Sequence, residues 1–271
     1  MVGELLAKAL VGEVLKRAPK FIRQRLKEKR FAFISDHHKK AKYLGFHKVI
    51  LPMINGTLTT ETERDDSISE LKKLKFEELG ARRSTVVIVQ QDSLPLAAGF
   101  VIGYTLHTNG GNKLIFEKDG LSYKNTSPRT AEILMEQTDE RKCHEKAIDL
   151  CFYIQAKSAD TGSPAFYDYI KKTTDLNPYI VSLVGTADYD ESINLEKTAK
   201  KITSLMTDFY GKLEKESSKK VSVHLFYNGN WGLALLLGNQ ISPVIPVQLY
   251  DYSNTEGVYG KSFCLHGDLF K

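Results

Sequence analysis

Cysteine is scarce in this chain, and what there is does not pair. Cys143, Cys151 and Cys264 are the only three in 271 residues. Their spacing fits no metal-ligand pattern, and an odd count without a pairing pattern excludes a disulfide framework and fits a reducing compartment. Long apolar runs are absent as well. None reaches the roughly 20 residues that a bilayer-crossing helix requires. The first residues hold no continuous apolar core of the kind a signal peptide carries. Together these absences lead to the expectation of a cytoplasmic protein. Tryptophan occurs once, at Trp231.

What is present is enough hydrophobic residue for a real core, at 42% of the chain. The net charge of +5 is unevenly spread. Met1 to Lys48 carries 13 Lys and Arg against 4 Asp and Glu, a balance of +9 that leaves −4 for the remainder. Leu5, Leu6, Ala9, Leu10, Val14 and Leu15 recur at helical spacing. Pro19 interrupts that pattern, and a second basic helix is expected over Phe21 to Lys29. Three uses of this segment stay open: packing on its own domain or a neighbouring subunit, meeting an acidic protein or nucleic acid, or lying in a membrane interface. The modest apolar stripe makes the last the least favoured. Asp36, His37, His38 and His47 invite a metal hypothesis, but adjacent histidines diverge on most backbones, whereas a metal needs converging ligands. An exposed polar turn is the expected reading, and no metal or other cofactor is expected. Asn55 to Asp66 reads as a polar loop or hairpin, and Ile68 to Leu79 as a charged helix stopping at Gly80.

From Thr85 the texture becomes alternating β and α. Strand patterns at Val86–Val89, Leu150–Ile154, Tyr179–Val184, Val221–Phe226 and Val247–Tyr250 alternate with helical ones. The helices are expected at Pro95–Leu106, from Ser127-Pro128 toward Lys146, at Ser163–Lys172, Leu195–Glu216 and Trp231–Gly238. A hairpin is expected from Leu114 to Tyr123, and an irregular tail lying over the sheet edge after Tyr252. Tyr227-Asn228-Gly229-Asn230 has turn chemistry, because Gly and Asn tolerate positive φ. With Asn230 as cap, the opening of the next helix offers unpaired N–H groups that suit a phosphate. Two strand sets of this kind imply two Rossmann-like halves, with ligand outside the carboxyl ends of the strands. The loops there are small and polar: Gln90 to Ser93, Gln155 to Ser158, Gly185 to Ala187, Asn228 to Trp231 and Tyr250 to Tyr252. None holds a paired carboxylate, a Ser/His/Asp order or a Cys/His dyad, so the set suits holding a ligand more than breaking one.

Val223-His224-Leu225-Phe226, a short loop, Leu233-Ala234-Leu235-Leu236-Leu237-Gly238 and a closing Val247-Gln248-Leu249-Tyr250 resemble the signature of SAVED domains. The resemblance extends from about Arg82 to Tyr252. The sequence departs from it where the family usually shows a proline before the last helix, since Asn228-Gly229-Asn230-Trp231 stands there, and the local phosphate or base contact is open to differ. The resemblance implies an α/β fold of two fused CARF-like (Rossmann-type) halves with a mostly parallel sheet. Ahead of it, residues 1–80 are expected to form a short, basic, helical segment, with the SAVED-like domain over 81–271.

The resemblance further implies a sensor of a cyclic oligonucleotide, a cyclic oligoadenylate first of all. The setting it implies is anti-phage defence, CBASS or type III CRISPR, with an output of head-to-tail self-association or recruitment of a separate effector. The residues expected to meet such a ligand come from the strand-end loops: Gln90, Gln91, Ser93, Gln155, Lys157, Ser158, Thr186, Asn228, Asn230, Trp231 and Tyr252. Lys157 and N–H groups near Asn230 would take phosphates. Trp231 or Tyr252 would stack on a base, with a core role the alternative for each. His224 reads as a satisfied core histidine. A nuclease or a membrane-acting effector built on residues 1–80, and slow ligand hydrolysis, are the other readings.

Overall fold

The computed structural model describes residues 28–35, 47–77, 85–89, 94–107, 113–118, 121–123, 129–142, 147–156, 163–185, 193–217 and 220–269. Strands β1 (Glu28–Ser35), β2 (His47–Leu51), β3 (Thr85–Val89), β4 (Lys113–Lys118) and β5 (Leu121–Tyr123) form one sheet in the order β2-β1-β3-β4-β5. The first four run parallel and β5 closes antiparallel on β4, as the hairpin pattern predicts. Helix α1 (Glu61–Glu77) leads toward β3, and α2 (Leu96–His107) follows it.

The second sheet is built from β6 (Ile133–Asp139), β7 (Ile148–Gln155), β8 (Pro178–Gly185), β9 (Val221–Asn228), β10 (Val247–Ser253) and β11 (Val258–Leu265), in the order β11-β10-β9-β7-β8-β6. Its four inner strands are parallel and both edges antiparallel. Helices α3 (Ser163–Lys172), α4 (Leu195–Glu216) and α5 (Trp231–Gln240) connect them. Strands β7 and β9 are buried at nearly every position, which explains their almost continuous apolar runs. Among the described residues, no helix is long and apolar enough to cross a membrane.

Four expectations are corrected. Residues 28 and 29, expected to end a basic helix, begin β1, where Phe31, Ala32 and Phe33 are buried between β2 and β3 or beside β2. The segment before residue 80 therefore supplies two strands to a sheet continued beyond it; residues 1–27 lie outside the described residues. Helix α1 starts at Glu61, not Ile68. Thr60 and Glu63 form a capping box, with Thr60 N–H donating to Glu63 Oε2 (2.7 Å) and Glu63 N–H to Thr60 Oγ1 (3.2 Å). Residues 129–142, the described part of the helix expected from Ser127 toward Lys146, hold no helix. Instead β6 pairs with β8 as an edge strand, leaving Leu134 55% exposed. The chain after Tyr252 forms β11, the opposite edge, with a bulge between Gln248 and Tyr250.

Helices α2 and α5 are apolar around their circumference, which requires burial on all sides. They lie against each other so closely that only glycine fits. A Cβ on Gly103 would stand 1.9 Å from the Leu235 carbonyl oxygen, and one on Gly238 would stand 2.0 Å from that of Phe100. Asn239 Nδ2 donates to Gly103 O across the crossing (3.3 Å). A second tie is the buried Asp251 carboxylate, which accepts from Ser262 Oγ (2.6 Å), Thr59 Oγ1 (2.8 Å) and Ala97 N–H (3.3 Å). It joins β10 to β11, to the start of α2 and to the residues ahead of α1. Burial pushes this carboxyl up from its ordinary value, against the pull of those three donors. Gly238→Ala should destabilise the protein by about 3 kcal/mol or more, because backbone rather than a pliable side chain must move. Gly211→Ala, where nothing lies within 4 Å of the added carbon, should be neutral or stabilising in the same urea titration.

Candidate functional site

Side chains alternate across a sheet, so the face of the second sheet beneath α3 can be read in rows. The register pairs Cys151 with His224, Tyr153 with Phe226 and Gln155 with Asn228. It also pairs His224 with Gln248 and Phe226 with Tyr250. Two residues beyond Tyr250, Tyr252 continues the same face. The row at the carboxyl end is therefore Gln155, Asn228 and Tyr252.

The row behind it is aromatic and filled. Tyr153 stacks on Phe166 of α3 with centroids 4.9 Å apart, and Phe226 stacks on Tyr250 at 4.1 Å. Tyr259 of β11 meets both Phe226 and Tyr252 edge-on or tilted. This layer is a floor under the polar row, since α3 packs on it through Phe166 and Ile170.

One row further back, both ring nitrogens of His224 are occupied. Nδ1 lies 2.8 Å from the Tyr250 hydroxyl and Nε2 lies 3.0 Å from Asp149 Oδ1. Asn177 N–H donates to the other Asp149 oxygen (2.7 Å). Burial alone would raise the Asp149 carboxyl, but the His224 and Asn177 hydrogen bonds outweigh it and hold the group below its ordinary value. Burial pushes the Tyr250 hydroxyl strongly upward, so it stays protonated. His224 is thus the satisfied core histidine that its strand position implies. It sits four residues back from Asn228, roughly 13 Å along the strand, too far to act on a ligand at the polar row.

At the turn after β9 the expected phosphate cradle is replaced by a cap. Asn230 Oδ1 accepts from Gly232 N–H (2.7 Å) and Leu233 N–H (3.3 Å), so these donors of the first turn of α5 are already used. Trp231 is only 4% exposed, and its indole N–H donates to the Pro95 carbonyl (3.3 Å), the residue that leads into α2. It is a core residue and offers no face for stacking. Positive φ does not explain Gly229 either, because among the described residues only Gly56 and Gly257 are positive-φ glycines. A Cβ at Gly229 would instead lie 2.6 Å from both the Ala156 Cβ and the Tyr227 hydroxyl oxygen. That hydroxyl donates to Asn230 O, and Ala156 N–H donates to Asn228 O, both at 2.7 Å.

Of the residues the sequence singles out, the structure brings Gln155, Asn228 and Tyr252 together and assigns Asn230 and Trp231 to the frame. Gln90, Gln91, Ser93, Lys157, Ser158 and Thr186 lie outside the described residues, as do Asp36, His37 and His38. His47 begins β2. The Asp251 tie was missed by sequence reasoning. A lone aspartate within an apolar strand is the signal that could have found it.

Fold and edge together define a class: paired Rossmann-type halves whose parallel strands end in a polar row. The family follows from the sequence itself, since residues 73–265 match the SAVED family, described as "SMODS-associated and fused to various effectors sensor domain". The chain belongs to that family. It is similar to solved Cap4 SAVED/CARF-domain containing receptors. The Acinetobacter baumannii receptor with the cyclic trinucleotide 2'3'3'-cAAA is 16% identical with a TM-score of 0.65, covering 90% of this chain and 52% of that one. The same receptor with 3'3'3'-cAAA is 17% identical with a TM-score of 0.65, covering 91% and 54%. The Moraxella osloensis receptor is 18% identical with a TM-score of 0.60, covering 91% and 52%. At these identities the likeness is one of fold, and the chain spans about half the length of those structures. No curated protein matches.

Two substitutions check the structural roles. Asn230→Ala should cost about 0.5–2 kcal/mol of unfolding free energy, read by urea titration, with affinity for any ligand of the fold unchanged in the folded protein. Asp149→Asn should destabilise at neutral pH by about 1–3 kcal/mol. Because folding lowers the Asp149 pKa, that contribution is present above the ordinary aspartate range and lost as pH falls through the folded-state value. The gap between wild type and variant should therefore close in acid.

Proposed function

We propose that the protein is a sensor that takes a cyclic oligonucleotide, a cyclic oligoadenylate first, at the carboxyl end of its second sheet. It answers by self-association or by recruiting an effector, in anti-phage defence. The observation that carries this reading is the membership of a sensor family, together with the likeness to an Acinetobacter baumannii receptor solved with cyclic trinucleotides. The polar row adds support, because it lies where open α/β sheets take ligands. Tyr252 is half-buried against Tyr259 and has an aromatic face suited to a base. Lys157 would meet a phosphate as a point charge.

For the output, the sequence offers charge complementarity between Met1–Lys48, at +9, and the remainder, at −4. A basic segment of one subunit docking on the acidic body of the next would be weakened by salt. Calorimetry with cyclic di-, tri- and tetranucleotides should give saturable binding for at least one adenine-containing ring. Sedimentation should then show larger species with that ring at low salt and fewer at high salt. No heat with any ring overturns the sensor, while binding without a change in mass leaves effector recruitment as the output.

A further inference from the structure

The carboxyl-end row has a reverse side, and the first half of the protein grips it. Side chains alternate along β10, so Asp251 and Ser253 point away from the face that carries Tyr252. Both are buried, and the loop between β2 and α1 covers them. Asp251 Oδ2 accepts from Thr59 Oγ1 (2.8 Å), and Oδ1 accepts from Ala97 N–H at the start of α2 (3.3 Å). The chain turns at Gly56 through a φ of 87°, which suits glycine. The Gly56 carbonyl accepts from Ser253 Oγ (3.3 Å), Thr255 N–H (3.3 Å) and Thr255 Oγ1 (3.2 Å). Leu58 lies so close on Gly260 that a Cβ there would stand 2.8 Å from Leu58 Cδ1. Arg64, in the first turn of α1, donates from Nη1 to Thr59 O (2.8 Å) and to Lys261 O (3.3 Å).

Tyr252 is thus held from behind on both sides. Its neighbours in the chain are bound to Thr59 and Gly56, and its registered partner Tyr259 precedes the Gly260 on which Leu58 sits. These ties cross between the halves: each joins the β10–β11 hairpin to the loop ahead of α1 or to the first turn of α1 or α2. The hairpin ends its sheet, since β11 is an edge strand. Edge elements open locally at lower cost than central ones, so the grip from behind decides how firmly Tyr252 is presented. A base resting on Tyr252 favours the closed hairpin, and with it the closed loop. Such coupling is reciprocal, so a loop that loses its hold on β10 weakens the ligand by the same factor. The tie is not silent when cut, because a buried carboxylate that loses a donor is left short of a hydrogen bond.

We infer that Asp251 and Ser253 are positioning residues of the site: through Thr59 and Gly56 they couple the aromatic face of Tyr252 to the start of α1, so that ligand on the row tightens the loop ahead of that helix. This inference rests on the reading of the chain as a cyclic oligonucleotide sensor. The test is calorimetry, melting curves and amide hydrogen exchange on the full chain with cyclic di-, tri- and tetra-adenylate. Two amides report the tie: Ala97 N–H, which donates to Asp251, and Arg64 N–H, which donates to Thr60 O (3.0 Å). In the wild type, the ring that binds should slow exchange over residues 54–66 and 96–99 at least about fivefold more than over α4. Thr59→Val removes one donor to Asp251 at nearly constant shape, away from the ligand face. It should weaken that ring at least about fivefold and abolish the extra protection. Thr59→Ser, which keeps the hydroxyl, should restore both. Wild-type protection no greater over those segments than over α4 overturns the inference, whether or not Thr59→Val folds. So does wild-type affinity in Thr59→Val, or a loss in Thr59→Val and Thr59→Ser alike that follows their melting temperatures, as a purely structural residue would show. If the wild type binds no ring, both this inference and the sensor reading fall. If a ring binds and the loop does not respond, only this inference falls.

Discussion

The close crossing of α2 and α5 is the constraint on which the rest of the structure depends. Each helix follows a parallel strand of a different sheet, α2 after β3 and α5 after β9. Their backbones touch through Gly103 and Gly238, where a single added carbon would meet a carbonyl at about 2 Å. Neither helix has a polar face to give to water, so each needs the other as cover. Trp231 adds to the same joint by donating across it to Pro95, and Asp251 ties the start of α2 to β10.

That joint decides what is left for ligand. It draws the first turn of α5 and the lone tryptophan into the interior, so the positive end of that helix is not presented as an anion cradle. On the other face of the sheet, the aromatic layer of Tyr153, Phe166, Phe226, Tyr250 and Tyr259 is close-packed. The Asp149–His224–Tyr250 chain satisfies the polar groups behind it. Among the described residues, what remains at the strand ends is one row, Gln155, Asn228 and Tyr252. The faces of the sheet are thus committed to packing, and the edge is where the proposed ligand would sit.

Much of the second half is legible in the sequence because its signals are local and strong. The stripe of Ile202, Met206, Phe209 and Leu213 fixes α4, and the β-branched runs of β7, β8 and β9 fix buried strands to within two or three residues. The capping role of Asn230 is legible for the same reason. The losses come where pairing partners decide. Glu132 to Asp139 has no clean alternation and contains helix-favouring residues, so only its pairing with β8 makes it a strand. Residues 28–30 look basic and helical until β3 is placed beside them. The T-x-x-E box at Thr60 was a readable signal that the charged run after it obscured. Composition cannot tell a stacking tryptophan from a core one. For Trp231, the position of Pro95, 136 residues away in sequence, settled the matter.

The central claim is that the carboxyl-end row of the second sheet receives a cyclic oligonucleotide. A crystal structure of the full chain grown with cyclic triadenylate tests it most directly. The account predicts the ring seated over β7, β9 and β10, with a base against Tyr252. A ring bound on the first sheet, or against the outer face of α4 with that row untouched, would contradict it.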